Sequence, residues 1–132
     1  MYECLVLVDP ENDVTAAALA AELRRFYEAD SAAPNEILES GPTVTLRWHD
    51  YTMTVYRSAL PHVLAESAEL ADEFAAQRSD RDRIARCQLR FEISAEEDPN
   101  MDHFNDYLFI GEALQRLGRV YRFENASGEF LE

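Results

Sequence analysis

Lysine is absent from all 132 residues, so every one of the twelve basic side chains is an arginine. That excludes chemistry needing a Schiff-base amine or a P-loop lysine. Glycine is scarce, at four residues, and no glycine-rich phosphate loop can be assembled from Gly41, Gly111, Gly118 and Gly128. Cysteine occurs twice, at Cys4 and Cys87, with neither in a CxxC and no Cys/His group at zinc spacing. Both sit in strand-like runs and read as reduced core residues. Apolar runs such as Leu5–Val8 fall far short of a membrane span. The N-terminus lacks a basic region followed by an apolar stretch and a small-residue cleavage site. A cytoplasmic location and no membrane association are therefore expected.

What the chain has in surplus is acid. With 26 acidic residues against 12 basic ones the formal net charge is −14. A field of that sign repels nucleic acid and favours basic partners, besides keeping the chain soluble. The length suits a single domain over residues 1–132.

Tyr2–Val8 reads as a strand apolar on both faces, hence central and covered twice. Asp13 is placed to cap a helix running to about Ala29, with Ala16, Leu19, Ala20, Leu23, Phe26 and Tyr27 as its apolar stripe. Glu36–Glu39 reads as a short strand ahead of Gly41-Pro42. Thr43–His49 and Tyr51–Arg57 alternate with period two and predict a hairpin turning near Asp50. Ser58 is placed to cap a second helix, with Val63, Leu64, Leu70, Ala71 and Phe74 inward and Glu66 outward. Gln77–Arg83 reads as a charged loop, and Cys87–Ile93 as a strand with Arg90 and Glu92 outward. A third helix is expected from about Pro99 to Leu117, closed by a left-handed Gly118, before a last strand at Val120–Phe123.

This order predicts an α+β, ferredoxin-like βαββαβ antiparallel sheet over residues 1–94, with a helix–strand extension over 95–132. The first two helices would cover one face. The C-terminal helix, or a second copy of the chain, would cover the other.

Arg90–Tyr107 concentrates the candidate chemistry. Asp98-x-Asn100-x-Asp102 echoes the start of a calcium loop, but His103 stands where the loop needs glycine and Phe109 where it needs the closing glutamate. The same residues satisfy helix-start rules, with Asp98 as cap, Pro99 at the first helical position and Asp102 in the first turn. His103, beside Glu96, Glu97 and Asp106, is a candidate acid/base or metal ligand, but no second histidine completes a site. The cluster Asp98, Asp102, His103 and Asp106 therefore reads as helix capping and local ion pairing, and no cofactor or metal is expected. His49, Asp50 and His62 lack partners, and Ser40 lacks the context of a nucleophile elbow.

A second set is better suited to contact. Thr43, Thr45, Arg47, Thr52, Thr54, Tyr56, Arg90 and Glu92 fall on the outward side of their strands. Arginine and tyrosine on a flat sheet favour protein binding. The core of this candidate contact face is Arg47, Thr52, Thr54, Tyr56, Arg90 and Glu92. The sequence thus points to a non-enzymatic, acidic protein-interaction or regulatory module, of a size and charge seen in bacterial immunity-type proteins, that binds a protein or itself. A small-molecule sensor with its ligand between the sheet and the C-terminal helix is the alternative, and a metal-dependent hydrolase on the Asp98–Asp106 cluster a third.

Overall fold

The doubly apolar N-terminal run forms β1 (Glu3–Val8), in the interior of one antiparallel sheet. The computed structural model describes residues 2–28 and 30–131. After β1 come α1 (Ala16–Phe26), β2 (Glu36–Ser40), β3 (Thr43–Arg47), β4 (Thr52–Ser58), α2 (Pro61–Phe74) and α3 (Arg81–Ala85). Then follow β5 (Leu89–Ala95), α4 (Phe104–Leu117), β6 (Val120–Glu124) and β7 (Glu129–Phe130). The seven strands lie in the order β2-β3-β4-β5-β1-β6-β7.

This is an α+β fold, but the sheet does not confirm the ferredoxin-like unit. That unit would set β4 against β1. Here β5 lies between them, pairing with both, and the remaining edge of β1 is taken by β6. The expected distribution of helices changes as well. One face of the sheet carries α1 and α4, whose Leu19, Leu23, Ile110 and Leu114 are fully buried over Val6, Val55, Phe91 and Ile93. The other carries α2 and α3, but only over one half. Ala71, Ala75 and Ile84 close on Leu7, Tyr121, Phe123 and Phe130, side chains of β1, β6 and β7. Each fully buried leucine here is worth about 2–5 kcal/mol against truncation to alanine.

Local chemistry moves several boundaries. The cap of α1 is Thr15, whose Oγ1 accepts from the Ala18 N–H at 3.0 Å; Asp13 instead takes the Arg57 guanidinium at 2.9 Å. The helix gives way at Tyr27, and the expected end at Ala29 lies outside the described residues. Ser58 ends β4 as a buried residue, and α2 starts at Pro61 with no side-chain cap. Part of the expected charged loop folds into α3, because Ile84 has a core to enter and Arg83 a buried carboxylate to meet. On α2, Leu64 and Phe74 are exposed, while the buried stripe is Val63, Ser67 and Ala71. The last strand turns back on itself through Gly128, at φ 67, to form β7.

The acidic turn shapes the start of α4. Asp98 accepts from the N–H groups of Asp102 (3.0 Å) and His103 (2.8 Å), so it caps a turn and not the helix itself, which begins at Phe104 after Met101 at φ 58. Gly118 is extended (φ 177), not left-handed, because the chain leaves α4 straight into β6. Asn12 packs where a side chain at Gly118 would go and accepts from the Arg119 N–H at 2.6 Å.

Candidate interaction surface

The half of the second sheet face that α2 and α3 leave uncovered is built by strand register. Three cross-strand rows of side chains follow from the pairing. The middle row runs Glu3–Ser94–Thr54–Thr45–Leu38 across β1, β5, β4, β3 and β2. Beside it run Leu5–Glu92–Tyr56–Thr43–Ser40 and Thr52–Arg47–Glu36. Period two puts all of these on one side, opposite the buried Cys4, Ile93, Val55 and Val44. The threonines, Tyr56 and Glu92 are half-buried by their neighbours, while Glu3, Glu36, Leu38, Arg47 and Ser94 are exposed.

Five of the six residues singled out as the core of a contact face thus share this surface: Arg47, Thr52, Thr54, Tyr56 and Glu92. Arg90 does not belong to it. It is 6% exposed and lies where α2 closes on β5, with Nε bonded to Glu92 at 2.9 Å. Its Nη1 stands 2.8 Å from Glu66 Oε1, an ion pair by distance without the alignment of a directed hydrogen bond. Glu66, expected outward, is what Arg90 holds. The alternation reading missed Glu3, Ser94, Glu36 and Leu38. Their own strands alternate legibly, but placing Glu3 and Ser94 beside Thr54 requires knowing that β5 lies between β1 and β4.

Two shallow hollows mark the face. One, of about 410 Å³, is lined by Glu3, Thr52, Thr54, Ser94, Ala95 and Glu96. The other, of about 250 Å³, takes in Leu5, Tyr56, Glu92 and Asn125 and shares Glu3 and Ser94 with the first. Together they form a trough along β5. Glu96 is fixed at its end, accepting from the Thr52 N–H at 2.8 Å while its carbonyl accepts from Tyr51 Oη at 2.7 Å. Arg47 is tied to Glu36 at 3.2 Å, both about half exposed, a pair that adds little to stability.

The Asp98–Asp106 cluster is brought together only in part. His103 Nδ1 lies 3.1 Å from Asp106 Oδ2, and Tyr27 Oη donates to Asp106 Oδ1 at 2.6 Å. The imidazole stacks on Tyr51 (centroids 4.3 Å, planes 8° apart) and tilts against Trp48 at 4.6 Å. Asp98 turns the other way, to its two backbone amides and Tyr2 Oη at 2.7 Å. Burial opposes its ionisation, but those three donors outweigh it and hold the carboxyl below its usual range. Asp102 is exposed. Among the described residues no group of three or more His, Cys, Asp or Glu side chains is arranged to hold a metal.

Carboxylates elsewhere hold tyrosines in the same way. Tyr107 Oη donates to Glu124 and Tyr121 Oη to Asp9, each at 2.6 Å. Burial first, and then the neighbouring carboxylate, pushes the Tyr27 and Tyr107 phenols well above their usual range. Asp9, 2% exposed, also receives a two-pronged Arg83 guanidinium at 2.7 and 2.6 Å and the Glu11 N–H at 3.1 Å. The Arg83 hydrogen bonds, ahead of that from Tyr121, hold its carboxyl far below the usual range against the effect of burial. Part of the acidic surplus thus serves the interior.

No family model, curated protein or solved structure matches the chain. No helix among the described residues is long and apolar enough to cross a membrane.

Proposed function

We propose that the chain is a non-enzymatic, acidic interaction module that binds a protein partner across the open half of its sheet. One observation carries this reading. The second face is closed by α2 and α3 over Leu7 of β1 and over β6 and β7, whereas from Glu3 of β1 across to β2 it offers ordered rows of threonine, serine and tyrosine with Leu38 among them. The threonines, Tyr56 and Glu92 of this surface are already half-buried by their neighbours, so docking orders few side chains. The polar clusters support the same reading, because His103, Asp106, Asp98 and Asp9 spend their hydrogen bonds on neighbouring protein groups.

The space between α4 and the sheet counts against a ligand-binding sensor. Its cavity, lined by Cys4, Tyr107, Gly111, Arg122 and Glu124 among others, measures about 10 Å³. That is room for about one water molecule and not for a metabolite.

The test is affinity capture from lysate with three proteins: wild type, Thr54→Arg at the centre of the open face, and Glu112→Arg on the exposed side of α4. The expected partner is retained by wild type and Glu112→Arg and lost with Thr54→Arg, with melting temperatures unchanged. A partner set indifferent to Thr54→Arg refutes the open face as the docking surface.

A further inference from the structure

The trough along β5 carries charge of one sign. Glu3, Glu92 and Glu96 line it, and no arginine does. The nearest cations are spoken for: Arg47 by Glu36, and Arg90, beneath α2, by both Glu66 and Glu92, so a single guanidinium is shared between two carboxylates and leaves Glu92 only partly neutralised. Glu3 is exposed and unpaired among the described residues. Between the carboxylates stand Thr52, Thr54, Ser94 and Asn125, neutral groups that donate and accept hydrogen bonds.

The spacing is that of an extended chain. Glu92 and Ser94 alternate along β5 and Glu96 follows directly beyond its end, so the backbone positions of the two glutamates stand about 13 Å apart with a hydroxyl-bearing residue midway. An extended segment laid along the trough repeats its own side chains at the same interval. Resting on the open-face reading, we infer that the partner enters the trough with an extended cationic segment. Its lysine or arginine side chains, four residues apart, meet Glu92 and Glu96, and Glu3 adds its charge at the centre. A second copy of this chain is a poor occupant, because two molecules each bearing a net charge of −14 repel.

The experiment uses the whole chain, labelled for amide NMR, and a capped heptapeptide with lysine at its second and sixth positions and threonine at its fourth. The control peptide carries the two lysines side by side. The expected result is a set of amide shifts centred on Thr52, Thr54 and Ser94, stronger with the spaced peptide and weakened by added salt. Glu3→Gln with Glu96→Gln keeps one acceptor oxygen on each side chain and removes two charges, and should weaken binding about fivefold. Glu28→Gln with Glu112→Gln removes the same charge elsewhere and should leave it unchanged.

Equal binding of the two peptides, equal weakening by the two double variants, or no shifts at millimolar peptide overturns the inference. The same holds for light scattering that shows a dimer abolished by Thr54→Arg, although a protein contact through the face then survives. A captured partner that is lost with Thr54→Arg but keeps its affinity for Glu3→Gln/Glu96→Gln likewise removes the cationic segment and leaves the face. Indifference to Thr54→Arg removes the face itself.

Discussion

Asp9→Asn tests the most heavily bonded buried charge in the molecule. The carboxylate joins the end of β1 to Arg83 of α3 and Tyr121 of β6, and the substitution changes almost nothing in shape. The amide keeps one acceptor oxygen, but its NH2 then faces a donor of Arg83, whose charge loses its buried counter-ion and keeps only the exposed Glu11 carboxylate at 3.1 Å. Breaking a buried ion pair from one side costs about 3–5 kcal/mol, and Arg83, 30% exposed, recovers some hydration, so a loss of about 3 kcal/mol is expected. For a domain of this length that lowers the melting temperature by about 10 °C. Arg83→Met should cost at least as much, because it strands the carboxylate. The double variant should cost less than the two single losses together, because the pair the two residues share can be lost only once.

The pH dependence has a fixed sign. The Asp9 carboxyl is depressed in the folded state, so its stabilisation is complete above the unfolded value of about 4 and disappears as pH falls towards the folded value. About 1 kcal/mol of it should be gone by about pH 3. Other carboxylates titrate there too, but the gap between wild type and Asp9→Asn isolates this one. Thermal denaturation followed by circular dichroism, at neutral and acid pH, measures that gap. A melting-temperature difference below about 2 °C at neutral pH, or a gap that does not narrow with acid, refutes the account.

Three further outcomes are expected. His103→Ala removes the ring stacked between Tyr51 and Trp48 and one partner of Asp106. It should cost about 2 kcal/mol in denaturant titrations and shift Trp48 fluorescence. Gly41→Ala meets no atom within 4 Å, so its cost of about 1 kcal/mol comes from φ 58 alone and should appear as faster amide exchange in β2. Burial pushes the Cys4 thiol up to about 11 and that of Cys87 up to about 12, so a thiol reagent at neutral pH should label neither until denaturant is added.

Much of the local structure was legible because strands with one wet face must alternate. Thr43–Arg47 and Thr52–Ser58 paired as their patterns implied, and the doubly apolar β1 took the interior position it needed. Choosing which helix covers which face was harder, because amphipathicity does not say what a helix lies against. The apolar stripe of α1 identifies its buried side except at Phe26, which is exposed against Phe109, while Glu22 is buried between Arg25 and Arg116. The buried side of α2 is Val63, Ser67 and Ala71, with Glu66 reaching for Arg90, so Leu64 and Phe74 look more suited to the interior than they are. Nor does any local signal join Tyr27 to Asp106, or Tyr121 to Asp9. Those pairs exist only because the sheet order brings distant segments together. For the same reason the threonines of the open face could be read from their strands, while Glu3 could not be placed beside them.

The position of β1 has a consequence for how the molecule comes into being. Its two neighbours are Leu89–Ala95 and Val120–Glu124, so neither of its edges can be paired until segments far downstream in the chain have been made. During synthesis the β3–β4 hairpin can close as soon as it emerges, while Cys4–Val8 stays an apolar segment with both edges bare. The middle of the sheet is sealed only when β6 arrives, and until then the nascent chain carries an apolar strand open to pairing with another chain.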